Sequence, residues 1–236
     1  MKISIIIPVY NEKKTIIKLF KKVQSLKDIN KQIIIIDDGS TDGSVELIKS
    51  KKNERNVKLI FHKENRGKGA AIISALKYIT GDIVVIQDAD LEYDPNDYYK
   101  LLEPFKDSNV KVVYGSRVLN KKRYSIKKSF PTNFRVFANH VLTIFSNLIN
   151  QQNLTDAHTC YKLFNSKLFM KLKLSEKDFA FCPEVTTKIS NLNLPIYEVP
   201  ISYNGRGYDE GKKIGINDAF RVFSVILKYK FLKKFN

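Results

Sequence analysis

The chain has no tryptophan, two cysteines and two methionines in 236 residues, and it sets 24 acidic residues against 41 Lys and Arg. Cys160 and Cys182 form neither a CxxC pair nor the even-numbered framework of a disulfide scaffold. That excludes structural zinc and a disulfide-stapled fold, nominates no catalytic thiol, and fits a reducing compartment. Long apolar runs are missing as well. A membrane span needs about 18 to 20 apolar residues, and the best candidate, Val136 to Ile149, is interrupted by Asn139, His140 and Asn147. This excludes a spanning helix and leaves a surface helix open. The amino terminus carries no charged and apolar leader of the secretory kind but enters Ile3, Ile5, Ile6 and Ile7 directly, which predicts a strand and a cytoplasmic protein. The phosphate-loop pattern GxxxxGK[ST], GxGxxG after a strand, HExxH and GxSxG are all absent, so kinase-like, nicotinamide-dependent, zinc-peptidase and serine-hydrolase readings lose their main support. His62, His140 and His158 are scattered without ligand spacing and read as packing or surface residues.

What remains is a globular composition with an unusual charge: 43% hydrophobic residues, enough to bury a core, and a formal net charge of +17. From residue 3 to 115 short β-branched runs alternate with longer amphipathic stretches, a βαβ rhythm. Strands are predicted at Ile3 to Val9, Gln32 to Asp37, Val57 to His62, Asp82 to Gln87 and Val110 to Gly115. Helices are predicted near Lys13 to Leu26, Ser44 to Lys51, Lys68 to Ile79 and Asn96 to Lys106. Unbroken runs such as Ile33 to Ile36 suit parallel strands covered on both faces, so the fold class is α/β with a mostly parallel central sheet and helices on both sides. Farther on, Ile196 to Tyr203 reads as a strand, 204–214 as a loop, and Asp218 to Lys234 as an amphipathic helix whose Phe220, Phe223, Ile226, Leu227 and Phe231 share a face. Between Asp107 and Asp156 no acidic residue occurs, while Lys111, Arg117, Lys121, Lys122, Arg123, Lys127, Lys128 and Arg135 are all basic.

Ligands of open α/β sheets bind beyond the carboxyl ends of the strands, and those ends are polar here. Asp88 and Asp90 follow the apolar run Ile83 to Ile86; paired carboxylates at a strand end repel unless a cation joins them, and hard oxygen ligands select Mg²⁺ or Mn²⁺. Asp37-Asp38-Gly39-Ser40-Thr41-Asp42-Gly43 is a turn that caps the next helix and places carboxylates where a ribose or base would lie, with Glu12 beside it. Gly67-Lys68-Gly69 opens a helix whose free N–H groups favour anions. Arg206, Lys212 and Lys213 sit in a glycine-bearing loop suited to clamp phosphate, and Arg117 can face the same space.

Taken in order, Ile7-Pro8-Val9-Tyr10-Asn11-Glu12, Asp37 to Gly43, Asn65-Arg66-Gly67-Lys68-Gly69, Gln87-Asp88-Ala89-Asp90-Leu91-Glu92, Gly115-Ser116-Arg117, Thr155 to Lys162 and Glu198 to Tyr203 resemble a family 2 glycosyltransferase of the GT-A fold, close to the polyprenyl-phosphate sugar transferases of the dolichyl-phosphate mannose synthase type. The resemblance runs along nearly the whole chain. It implies a GT-A catalytic domain over residues 1–216 followed by a C-terminal amphipathic helix, 217–236. It further implies that Pro8, Tyr10, Glu12 and Asp38 hold a nucleoside with Asp37 in support, and that Lys68 lies near the nucleotide. Asp88, Asp90 and Glu92 would bind Mg²⁺ or Mn²⁺, and Arg117, Arg135, Arg206, Lys212 and Lys213 would bind acceptor phosphate or donor diphosphate. The implied reaction is inverting, metal-dependent transfer from a UDP- or GDP-linked sugar, with Asp90 and Arg117 as catalytic groups.

A phosphate acceptor is already anionic and needs little base assistance, whereas a sugar hydroxyl needs a carboxylate nearby. Glu184 and Asp156 are the candidates for that base or for positioning the acceptor. The basic stretch and the terminal helix, with Phe130 to Ile149 as a second amphipathic element, favour a polyprenyl phosphate at an anionic membrane surface and peripheral attachment to its cytoplasmic face. Other readings of a +17 chain are a nucleic-acid-binding protein, a non-catalytic module that binds nucleotide sugar, and a nucleotidyltransferase. No recognition-helix, RNP-like or zinc-finger pattern accompanies the charge, and no nucleic-acid partner is expected.

Overall fold

The computed structural model describes residues 1–121, 123, 130–205 and 216–232. Its strands are β1 (Lys2–Val9), β2 (Asn30–Asp37), β3 (Val57–Phe61), β4 (Ile83–Ile86), β5 (Val112–Ser116), β6 (Lys162–Asn165) and β7 (Tyr197–Pro200). The α-helices are α1 (Ile16–Gln24), α2 (Ser44–Lys49), α3 (Lys68–Ala75), α4 (Tyr98–Leu102), α5 (Phe130–Asn150), α6 (Ser166–Lys171), α7 (Phe181–Asn191) and α8 (Ile216–Leu227). The seven strands form one sheet in the order β3-β2-β1-β4-β6-β5-β7. All neighbours pair in parallel except β6, which runs antiparallel to both β4 and β5. The carboxyl ends of β1, β2, β4, β5 and β7 therefore share one edge.

Side chains of a strand alternate between the sheet's two faces, and the core divides accordingly. Ile3, Ile5, Ile7, Ile33, Ile35, Val85 and Val113 pack with Leu19, Phe20 and Val23 of α1 and Leu101 of α4. Ile6, Ile34, Ile36, Val84, Ile86, Val112 and Tyr114 pack with Ala71, Ile72 and Ala75 of α3 and Val185 and Ile189 of α7. A run such as Ile33 to Ile36 has no polar side because both of its faces are covered.

Several elements depart from the sequence expectation, among them α6, which was not anticipated. Strand β6 begins at Lys162, a charged residue that hides the strand pattern; its ammonium is buried, donates to the Ala157 carbonyl (2.9 Å) and lies 3.7 Å from the centre of the Tyr114 ring. Helix α7 was not anticipated, because Pro183, Thr186 and Thr187 weaken the helical pattern, yet Pro183 falls in the first turn, where its missing N–H costs nothing. The terminal helix is not one straight unit: α8 ends at Leu227 and a π-helical turn follows over Lys228–Leu232. The wider turn brings Tyr229 inward to Ser175 Oγ (2.5 Å) and Glu176 Oε1 (2.9 Å), so Val225, Ile226 and Tyr229 are buried while Phe220, Leu227, Phe231 and Leu232 face outward. Arg221 and Lys228 pair with Glu176, and Arg221 also with Asp178, fastening α8 to the segment before α7. Among the described residues no helix is long and apolar enough to cross a membrane.

Candidate functional site

The shared strand edge collects most of the residues singled out above. At the end of β1, Tyr10 is 48% exposed and Pro8 half-buried, while Asn11 adopts a left-handed backbone (φ 55°) and accepts the Thr41 N–H on Oδ1 (2.8 Å). Asn11 N–H in turn donates to Ser40 Oγ (2.9 Å), so the β1 and β2 loops are stitched together. Glu12 Oε2 accepts from Thr15 Oγ1 (2.6 Å) at the entrance to α1.

The two aspartates ending β2 differ from expectation. Asp38 was read as the nucleoside ligand with Asp37 in support. Both Asp38 oxygens are engaged: Oδ1 with His62 Nδ1 (2.6 Å) and the Arg66 N–H (3.0 Å), Oδ2 with the Gly67 N–H (2.8 Å). His62, far from being a bystander, continues the chain to Ser74 Oγ (2.9 Å). Asp38 thus shapes the loop leading into α3. Asp37 uses Oδ1 for the Ser40 N–H (2.9 Å), and its buried Oδ2 has no hydrogen-bond partner. A buried carboxylate oxygen left without a donor costs stability, so of the two it is Asp37 that has capacity for a ligand hydroxyl or N–H.

The start of α3 is not the open anion cradle that Gly67-Lys68-Gly69 suggested. Ala70 N–H donates to the Lys177 carbonyl (3.0 Å), and a Cβ added at Gly69 would lie 2.1 Å from the Glu176 carbonyl oxygen. Glycine is needed there because the 176–177 backbone lies directly on the helix. Lys68, the first residue of α3, reaches back to the sheet edge, pairs with Asp88 Oδ1 and lies 3.3 Å from Cys160 Sγ.

Asp88 and Asp90 follow β4. The turn is braced by Gln87, a polar residue at the end of a strand whose other residues are apolar. Its Nε2 donates to the Asp88 carbonyl (3.0 Å) and its Oε1 accepts from Tyr98 (2.7 Å) and Tyr161 (2.6 Å). Sequence reading set Gln87 in the motif without giving it a role; the signal available was a lone polar residue between an apolar strand and the carboxylate pair. Burial, the charge of Asp88 and that of Glu92 push the Asp90 carboxyl up to about 7, against the Glu92 N–H (3.0 Å) and the charge of Lys68. Such a pair is short of positive charge, and its donors are hard oxygens, which fits Mg²⁺ or Mn²⁺. Glu92 fits less well: its Oε2 accepts from Tyr203 OH (2.8 Å), and among the described residues no group of three or more His, Cys, Asp or Glu side chains is gathered for a metal. Of the three carboxylates, Asp88 and Asp90 have the better chemistry for a hard cation.

Tyr203 ties this turn to Arg117 at the end of β5. Its ring lies 5.2 Å from the Arg117 guanidinium carbon and 5.2 Å from the Tyr93 ring, and a β-bridge joins the backbones of Tyr93 and Tyr203. Arg117 is held by a two-pronged pair with Asp156, Nε to Oδ2 at 2.7 Å and Nη2 to Oδ1 at 2.8 Å, and Asp156 also accepts the Arg117 N–H. Glu198 of β7 fixes Asp156 in turn, accepting its N–H (3.0 Å) and that of Thr155 (2.7 Å). A guanidinium has five donors; two go to Asp156, and the remainder can meet an anion. Burial alone would raise the Asp156 carboxyl, but the charge and hydrogen bonds of Arg117 prevail and hold it down at about 2.

A stability prediction follows from that pair. A depressed carboxylate contributes stability that is complete above its unfolded value near 4 and lost as pH falls through its folded value. The contribution, about 2 to 3 kcal/mol at neutral pH, should vanish between about pH 4 and 2. Urea unfolding of the native chain and of Asp156→Asn, run as a pH series, should show a stability gap that closes across that window; a gap independent of pH would contradict the pairing.

Glu184 does not stand where a base would. The residue is fully buried, its Oε1 accepts the Ser175 N–H (2.9 Å) and pairs with Lys188 (2.8 Å), and its Oε2 accepts the Glu176 N–H (2.8 Å). It props the 175–177 segment against α3. Asp156, the other candidate, is equally engaged with Arg117. Among the basic residues, Lys121 donates to the Ile201 carbonyl (2.6 Å) and Arg123 to that of Thr155 (2.8 Å). The side chain of Arg135 and the whole of Arg206, Lys212 and Lys213 lie outside the described residues.

Comparisons with known proteins place the chain in a family and a fold. The family described as glycosyl transferase family 2 matches residues 4–173. A UDP-N-acetylglucosamine--dolichyl-phosphate N-acetylglucosaminyltransferase of Methanococcus voltae is 31% identical, over 97% of this chain and 96% of its own. A dolichol-phosphate mannosyltransferase of Pyrococcus furiosus is 35% identical over 50% of this chain and 33% of its own length. Among solved structures, glucosyl-3-phosphoglycerate synthase from Mycobacterium tuberculosis, in complex with Mn²⁺, UDP and phosphoglyceric acid, superposes with a TM-score of 0.70 at 19% identity, covering 99% of this chain and 80% of that one. The fold is thus that of the GT-A glycosyltransferases. The chain belongs to glycosyl transferase family 2, and it is a glycosyltransferase.

Proposed function

We propose that this glycosyltransferase moves a sugar, with inversion, from a UDP- or GDP-linked donor to a polyprenyl or dolichyl phosphate, using Mg²⁺ or Mn²⁺. The observation that carries the reading is the Tyr203 bridge, which sets the Asp88–Asp90 turn beside an arginine already oriented by a carboxylate. One end of that arrangement suits a metal-bound diphosphate and the other an acceptor phosphate. Asp88 and Asp90 would hold the metal, whose chemistry is to neutralise charge developing on the departing nucleoside diphosphate. Tyr10 offers an exposed ring for a base to stack on, and Asp37 a carboxylate oxygen for its hydrogen bonds. Glu12 and Pro8 line the same corner. The remaining donors of Arg117 would orient the acceptor phosphate so that its oxygen attacks the anomeric carbon in line. Arg135, Arg206, Lys212 and Lys213 are proposed as further phosphate ligands.

Two features favour a lipid phosphate over a sugar hydroxyl. A hydroxyl acceptor needs a base, and both candidates, Glu184 and Asp156, are committed elsewhere. The second feature is the polarity of α5. Leu142, Thr143, Ser146 and Asn150 are buried, while Phe134, Phe137, Val141, Ile144 and Leu148 are exposed, so the apolar stripe points away from the core. Helix α8 packs against α5 through Phe145 and Phe223 (ring centres 4.5 Å apart) and adds Phe220, Leu227 and Phe231 to the outward surface. Such a face, next to the acid-free basic stretch, suits the interface of an anionic bilayer. The relative from Methanococcus voltae, named for a dolichyl-phosphate acceptor, supports the same choice. We assign residues 1–216 to the catalytic domain and 217–236, together with the outward face of α5, to attachment, as a peripheral protein on the cytoplasmic face.

The direct test is incubation of purified protein with a panel of UDP- and GDP-sugars, Mg²⁺ or Mn²⁺ and a short polyprenyl phosphate, following lipid-linked sugar. Metal-dependent product is expected with one donor. Transfer only to sugar hydroxyls, or salt-sensitive nucleic-acid binding without donor binding, would overturn the reading. For the surface, replacing both Phe137 and Ile144 by Glu should lower partitioning onto phosphatidylglycerol-containing vesicles at least about tenfold, since each buried apolar side chain is worth about 1.5 to 3 kcal/mol. Unchanged partitioning would remove α5 from the interface.

A further inference from the structure

We propose that Lys68 is an internal counter-ion of the carboxylate pair, giving up Asp88 to a divalent metal only when a nucleoside diphosphate offers its ammonium a replacement anion, so that metal and diphosphate bind cooperatively. The inference rests on the metal and nucleotide site proposed above.

Both partners of the Lys68–Asp88 pair are held where they meet. The backbone around Lys68 is fixed on three sides: Gly67 N–H donates to Asp38, Ala70 N–H to the Lys177 carbonyl, and Ala71 N–H to the Gly67 carbonyl. On the other side Gln87 holds the Asp88 carbonyl. The side chains of Lys68 and Asp88 are 11% and 16% exposed, so bulk water has little access to the pair. Its other recorded contact, Cys160 Sγ, is no substitute for a carboxylate.

A metal ion entering beside Asp88 and Asp90 meets this resident cation. Two carboxylates carry two negative charges, against three positive ones once metal and ammonium are both present. In a partly buried site that excess is unfavourable. A diphosphate reverses the balance, because its oxygens ligate the metal and accept hydrogen bonds from the displaced ammonium. By linkage each ligand then strengthens the other by the same factor. The resident cation neutralises Asp88 before any ligand arrives and leaves Asp90 without a comparable partner in charge.

Mn²⁺ binding, read by electron paramagnetic resonance of the free ion, tests this without turnover. In the native protein UDP or GDP should tighten Mn²⁺ binding by at least about tenfold, within the usual span of such couplings. Lys68→Met, which keeps the stem and removes the charge, should bind Mn²⁺ without nucleotide at least about fivefold tighter than the native protein and lose a corresponding part of the coupling, keeping what direct metal–diphosphate ligation supplies. Lys68→Arg should retain it, and thermal melting of each variant checks that the fold persists. If the native protein binds Mn²⁺ with nucleotide but Lys68→Met binds it no tighter alone, or keeps the full coupling, the counter-ion role is overturned while the site stands. If Mn²⁺ binds under no condition, the site and the inference fall together.

Discussion

Replacing Asp90 by Asn should lower kcat by about 10² to 10³-fold, the usual consequence of deleting one group that stabilises transition-state charge, with no loss of stability. The two halves of the prediction have one cause. Asp90 is a half-buried carboxylate beside Asp88, pushed up to about 7 because its charge is poorly tolerated in the ligand-free protein. A neutral isostere relieves that repulsion, so the melting temperature should hold or rise. The charge is useful only where a metal and a departing diphosphate share it. Steady-state kinetics of lipid-linked sugar formation and a thermal melt, made on the same preparation, check both halves. Retention of more than half the native kcat would show that Asp90 does not take part in stabilising the leaving group.

Glu184→Gln should do the reverse. Glu184 is fully buried, accepts two backbone N–H groups and pairs with the buried Lys188. An amide there turns a donor toward a donor and leaves Lys188 without its counter-charge, although the carbonyls of Leu172 and Lys173 still accept from it at 3.0 and 2.8 Å. Breaking a buried pair from one side costs about 3 kcal/mol or more. The variant should melt well below the native protein, yet at a temperature where it remains folded its kcat should fall by no more than about threefold, against the 10²-fold or greater loss expected for a missing general base. A large loss of kcat with unchanged stability, on a sugar-hydroxyl acceptor, would restore Glu184 as the base.

These two residues mark what a sequence reading can locate and what it leaves open. Asp88 and Asp90 were legible because an apolar strand ending in acids has few structural explanations and because strand ends of a parallel sheet converge. The β1 to β4 framework was legible for a related reason: local hydrophobic pattern and turn residues specify it. Glu184 was misread because a carboxylate in sequence carries no sign of whether its lone pairs face solvent or backbone. Asp37 and Asp38 could not be told apart for the same reason, since two adjacent acids look alike until His62 and the Gly67 N–H, distant in sequence, engage one of them. Lys162 concealed β6, because only the tertiary environment supplies the Ala157 carbonyl and the Tyr114 face that let an ammonium be buried.

The sequence by itself determined the α/β class, the polar strand edge, the carboxylate pair and the family, all properties of local pattern and ordered motifs. Tertiary structure alone decided that Tyr203 joins the carboxylate turn to Arg117, that Lys68 neutralises Asp88, and that α5 turns its apolar stripe outward. Each of these depends on which groups meet across the fold, and in a partly buried site that meeting decides whether a charge is a ligand, a counter-ion or a brace.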